Sequence, residues 1–93
     1  MPKIAIFQFS GTGNTYFVAK SICEALRKTD RCDLFALENH LDDADRLIER
    51  YDIIGLGYPI YGSSLPPIVF RFLETLSAHQ KKAFTFCTQL LFS

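Results

Sequence analysis

The chain has 93 residues, of which 48% are apolar and nine are Phe, and its ten Lys plus Arg balance its ten Asp plus Glu. That composition suits one globular domain and excludes a disordered tail, because folding a chain of this size buries about 60 to 65% of its unfolded surface, enough for one core. No basic run is denser than Lys81-Lys82, which excludes a binder of nucleic-acid backbones or an anchor at a membrane surface, so neither is expected as a partner.

Cys23, Cys32 and Cys87 are odd in number, lie far apart and form no C-x-x-C pair. Neither a disulfide framework nor a zinc site is expected, and a reducing cytoplasm fits. The first residues lack a basic segment followed by a long apolar one, and no apolar run reaches membrane-spanning length.

Residues 3 to 9, KIAIFQF, are β-branched and aromatic and read as a strand covered on both faces. A neutral stretch follows, Ser10-Gly11-Thr12-Gly13-Asn14-Thr15. From Thr15 to Lys28 the apolar residues Val18, Ala19, Ile22, Ala25 and Leu26 recur every three or four positions, as the buried stripe of an amphipathic helix does. Cys32 to Leu37 reads as a second strand, and Asp42 or Asp43 is placed to cap a brief helix through Glu49. YDIIGLGYP, residues 51 to 59, is the third strand, and Ile60 to Pro66 are expected to form a loop. Pro67 suits the first turn of a helix whose stripe is Ile68, Val69, Phe72, Leu73 and Leu76, with Phe70 left on the surface. AFTFC, residues 83 to 87, is a fourth strand, and Thr88 and Gln89 stand at its end. Strands alternating with helices predict a parallel α/β sheet.

The stretch after the first strand carries the chemistry. A strand that ends in small hydroxyl residues and restarts as a helix gathers unpaired N–H groups and the positive end of the helix dipole at one point, where an anion belongs. A P-loop is excluded, since no Lys follows Gly13 within the loop. The dinucleotide fingerprint matches Gly11 and Gly13 but meets Tyr16 at its third position; Glu38, after the second strand, is the matching acid for a ribose, so this reading is weakened without being removed. A C-x5-R phosphatase loop is not found at any cysteine. What remains is a cation-free grip on a phosphate monoester, by the hydroxyls of Ser10, Thr12 and Thr15 and the amides of residues 11 to 15. The plainer reading is a turn with Thr12 or Asn14 as helix cap; position between a buried strand and an amphipathic helix counts against it.

The stretch FSGTGNT closely resembles the phosphate loop of flavodoxins and related FMN proteins, through Ser10, Thr12, Gly13, Asn14 and Thr15. GYPIYGSSLPP resembles their loop along the flavin, and AFTFCTQ their fourth strand. The resemblance implies a flavodoxin-like doubly wound parallel sheet in the order 2-1-3-4, its fifth strand absent, with the site between strands one and three where the order reverses. It implies FMN as cofactor, held by Ser10, Gly11, Thr12, Gly13, Asn14 and Thr15 at the phosphate, and by Pro59, Ile60, Tyr61, Gly62 and Thr88 around the ring and ribityl chain. Tyr61 is the stacking candidate and Tyr58 a residue of the strand; the resemblance implies that a peptide among Tyr61, Gly62 and Ser63 turns its carbonyl toward the reduced ring, and a glycine needed only for a tight turn before Pro66-Pro67 is the equal alternative. No residue is assigned a catalytic or metal-ligating role. His40 and His79 read as solvated surface residues, and the three cysteines as small apolar ones.

The family pattern continues past the fourth strand with a further loop, a helix, a strand and a final helix. Residues 1 to 93 are therefore expected to be the amino-terminal part of a flavodoxin-like domain, its exposed strand-four edge covered by a missing segment or by a second copy in a homodimer. The implied function is an FMN electron carrier between redox partner proteins. The alternatives are an FMN-dependent NAD(P)H or quinone oxidoreductase and a flavin-free assembly module. Relatives fused to iron–sulfur domains are a further implication of the resemblance.

Overall fold

The structure, a computed structural model, describes residues 2–9, 14–60 and 65–89. Strand β1 (Lys3–Gln8) leads to helix α1 (Asn14–Leu26) and strand β2 (Arg31–Ala36). A 3-10 turn at Leu37–Asn39 and helix α2 (Ala44–Glu49) then precede β3 (Ile53–Ile60), α3 (Pro67–Ser77) and β4 (Lys82–Gln89). The four strands form one parallel sheet in the order β2-β1-β3-β4. This is the expected order. The chain winds outward in opposite directions from β1 and β3, which puts the switch point between their carboxyl ends.

The central strands are apolar because both of their faces are covered. Along β1, Ile4 to Gln8 are all buried. Alternation sends Ile4 and Ile6 to the α1 side, where they meet Ala19, Cys23 and Cys32, and Ala5 and Phe7 to the opposite side. There Phe7 packs on Phe72 of α3 with ring centroids 4.8 Å apart, and on Phe35 of β2 at 5.3 Å. Leu37, Ile48, Ile54, Leu56, Val69 and Leu76 complete this larger core. Burying each such side chain contributes about 1.5–3 kcal/mol.

The α1 helix is turned relative to the sequence expectation. Its buried residues are Thr15, Ala19 and Cys23, spaced by four, while Val18 and Ala25 face solvent. Small side chains on that line let the helix lie close to the sheet. The far end of α1 is tied to edge strand β2: Arg27 Nε donates to the Cys32 carbonyl at 2.7 Å, and the Cys23 thiol reaches the same oxygen at 3.5 Å. Burial first, then the hydrogen bond with Cys23, pushes the Cys32 thiol up to about 12.

Other elements follow the sequence reading with small shifts. β2 starts one residue earlier, at Arg31, and Leu37 turns into the 3-10 segment. Asp43 occupies the N-cap position of α2 but makes no cap bond; its carboxylate faces His40 Nδ1 at 3.2 Å. β3 runs through Ile60, which was assigned to the loop. Pro66 is extended before Pro67, as a residue preceding proline prefers, and Pro67 opens α3, whose first turn bonds back to the Pro66 carbonyl. Val69, Phe72 and Leu76 are buried there, and Phe70 is exposed as expected.

β4 is paired through β3 alone among the described residues. Phe84 and Phe86 lie half-buried across Gly55 and Gly57, on the α1 side. Ala83, Thr85 and Cys87 are exposed. Cys87 therefore departs from the apolar packing expected of it: no helix covers that part of the sheet among the described residues.

Candidate functional site

The carboxyl ends of β1, β3 and β4 converge with the start of α1. Phe9 extends the β1–β3 ladder, its N–H donating to the Gly57 carbonyl at 2.9 Å, so the chain leaves β1 directly beside β3. Pro59 stands in register with Thr88, and Gly57 with both Gln8 and Phe86. The two-residue alternation puts Gln8, Gly57, Pro59 and Thr88 on the α1 side of the sheet. Thr15 comes down on them from α1. It is 1% exposed, and its hydroxyl lies 2.7 Å from that of Thr88. This hydroxyl pair fastens the first turn of α1 to the end of β4, across the intervening strand.

No ionisable side chain is among these residues, and the first turn of α1 carries no acidic residue. The positive end of its dipole, with the first-turn N–H groups that a helix leaves without internal partners, is therefore not neutralised by a carboxylate of that turn. Chemically the place suits an anion held by amides and hydroxyls.

Of the predicted site residues, the structure brings Thr15, Pro59 and Thr88 together. Asn14 opens α1 and is exposed. Ile60 follows Tyr58, which packs on the α2–α3 core, and by alternation shares that side of β3, the opposite face from Pro59. Ser10, Gly11, Thr12, Gly13, Tyr61 and Gly62, with Ser63, lie outside the described residues. Tyr16, at the position a dinucleotide fingerprint gives to glycine, is 40% exposed, and Glu38 is exposed in the turn after β2. The close approach of helix to strand is made by Thr15 and Ala19 instead.

Sequence reasoning passed over Gln8. It is 6% exposed, and its Oε1 is buried without a hydrogen-bond partner among the described residues. The signal is a polar residue closing an otherwise apolar buried strand just before a hydroxyl-rich stretch of sequence. The histidines also differ from expectation. His79 is only 12% exposed at its side chain and is held between two carboxylates of α2, Nε2 facing Asp45 at 2.8 Å and Nδ1 facing Glu49. These hydrogen bonds raise its pKa above the ordinary 6.5. His40 is half-buried beside Asp43 and meets the Phe35 ring edge-on at 5.2 Å.

Among the described residues no helix is long and apolar enough to cross a membrane. An uncharacterized protein of Methanocaldococcus jannaschii is 36% identical over 88 residues, which are 95% of this chain and 54% of that protein. The chain thus spans about half the length of this curated relative. Among solved structures, one described as a flavoprotein from Bacteroides eggerthii superposes with a TM-score of 0.75 at 23% identity, covering 96% of this chain and 72% of that one. Oxidised flavodoxin 1 from Bacillus cereus gives a TM-score of 0.70 at 24% identity, covering 91% and 60%. At such identities these two establish the shared fold. The profile of the flavodoxin domain family matches residues 5–92, and the chain belongs to that family.

Proposed function

We propose that the chain binds FMN at the β1–β3 switch point and serves as an electron-transfer flavoprotein. The observation that carries this reading is the start of α1: an acid-free first turn whose buried Thr15 is fixed to Thr88, directly after the sequence Ser10-Gly11-Thr12-Gly13. Ser10, Gly11, Thr12, Gly13, Asn14 and Thr15 hold the phosphate by uncharged donors. Pro59, Tyr61, Gly62 and Thr88 border the ring and ribityl chain. The residues present fit such a group, since they offer hydroxyls, amides and a helix N-terminus and place no carboxylate in that turn. When bound, the flavin supplies the redox chemistry, and the protein supplies binding, orientation and exclusion of water.

The redox partners are other proteins, and the compartment is a reducing one, in keeping with free Cys23, Cys32 and Cys87. A further segment of the protein or a second copy covers the outer edge of β4. What supports this is β4 itself, which among the described residues pairs with β3 alone and leaves Ala83, Thr85 and Cys87 exposed.

Adding FMN to the purified protein tests the reading. It predicts a 1:1 complex with quenched flavin fluorescence that dithionite bleaches and a one-electron acceptor protein recolours. A protein that leaves flavin fluorescence unchanged at excess contradicts it.

A further inference from the structure

Gln8 ends β1 on the α1 side, between register neighbours with little or no side chain, Ala36 on β2 and Gly57 on β3. It is one of two buried polar residues in the fold's described part, with Thr15. Thr15 is satisfied through Thr88, whereas Gln8 Oε1 has no partner among the described residues. The Thr15–Thr88 contact uses one hydroxyl hydrogen and leaves the other, yet the Gln8 oxygen does not receive it. An unpartnered buried carbonyl weakens folding by roughly tenfold in the equilibrium, and an apolar side chain of equal length would avoid that loss. Ile4 to Phe7, which precede it in β1, are apolar, so its strand neighbours offer the side-chain oxygen no donor.

The structure assigns Gln8 a binding role: its side-chain carbonyl accepts a hydrogen bond from a hydroxyl or N–H of the ligand seated at the switch point. The assignment rests on the FMN reading above. The donors that FMN brings are its ribityl hydroxyls and its ring N–H. The phosphate, an acceptor, has no proton to give at neutral pH to this oxygen. Gln8 therefore reads the part of the ligand that riboflavin shares with FMN, while the helix start reads the phosphate. One end of the site recognises charge and the other recognises a donor.

The consequence is a trade between stability without ligand and affinity for it. Gln8→Met keeps the length and removes both the orphan and the acceptor. In the ligand-free protein it is expected to raise the melting temperature by roughly 4 °C or more. In the same protein FMN and riboflavin are both expected to bind about tenfold more weakly than to wild type, by the same factor. Wild-type binding of FMN is the control that checks the underlying reading; wild type that binds no FMN sinks that reading and the ligand named for Gln8 with it. With wild-type binding in place, equal affinity of Gln8→Met and wild type overturns the inference alone. A lowered ligand-free melting temperature, or failure to fold, also overturns it, because an amide already satisfied inside the fold, by water for example, would be needed there. Weakening confined to FMN, with riboflavin unchanged, overturns the assignment to the shared part of the ligand.

Discussion

Gly55 sits in the interior of β3, in register with Ile6 of β1 and Phe84 of β4. Its backbone is ordinary strand, so what forbids a side chain is space. A Cβ there would lie 2.5 Å from Phe84 Cζ and 2.8 Å from its Cε2. In Gly55→Ala the ring has to swing off β3. Phe84 is half-buried and on an edge strand, so the swing is feasible and gives up about 1–2 kcal/mol of burial, part of the value for a fully buried Phe. Alanine in place of glycine within a strand returns about 0.5–1 kcal/mol. The net effect is a loss of about 0.5–1 kcal/mol, or about 3 to 6 °C in melting temperature for a domain of this size. Made in a Phe84→Ala background, the same substitution meets no ring and should stabilise by about 0.5–1 kcal/mol. Urea denaturation of the four proteins measures the cycle, and a coupling of about 1–2 kcal/mol with a reversal of sign is expected. Stabilisation by Gly55→Ala in both backgrounds, or a coupling below about 0.3 kcal/mol, would refute the packing of Phe84 over Gly55.

Thr88→Val removes one hydroxyl of the buried pair and strands that of Thr15, which costs about 1–3 kcal/mol in urea denaturation, while Thr15→Val with Thr88→Val restores most of it; equal losses in single and double variants would show that the pair is not a unit. Of the three thiols, Cys87 is expected to react with a disulfide reagent in the native protein, and Cys23 and Cys32, each 2% exposed, only after unfolding; simultaneous reaction of all three contradicts this. His79 makes stability depend on pH. Its folded pKa lies above the ordinary 6.5 because Asp45 and Glu49 favour its charged form, so its stabilisation is complete below about 6.5 and is lost as pH rises through the folded value. His79→Gln should flatten that decline in melting temperature above neutral pH, and a variant that keeps the wild-type decline rules the ion pairs out as its source.

Much of the fold was legible because the central strands advertise themselves. KIAIFQ and IIGLGYPI are apolar without alternation, as strands buried on both faces must be, and the stripe of α3 repeats at helical spacing. The α1 stripe was read too far round because apolarity favours Val18 over Thr15, and only the Thr88 hydroxyl at the other end of the chain makes a buried threonine acceptable there. The His79 contacts were illegible for a related reason: Asp45 and Glu49 stand 34 and 30 residues away in sequence, and their meeting depends on how α2 and the end of α3 pack. In the candidate site, the residue types after β1 pointed to Thr15 and the resemblance to Pro59 and Thr88; the sheet register sets the last two side by side and α1 brings Thr15 onto them. Ile60 is named with them by the same resemblance, as an apolar residue for the ring, and the pleat turns it to the other face.

The central claim is that the start of α1 and the residues just before it grip a phosphate without a cation. Isothermal titration of the protein with FMN and with riboflavin isolates that grip, since the two ligands differ by the phosphate alone. The account predicts FMN binding tighter by at least tenfold, about 1.4 kcal/mol. Equal affinities for the two would contradict it.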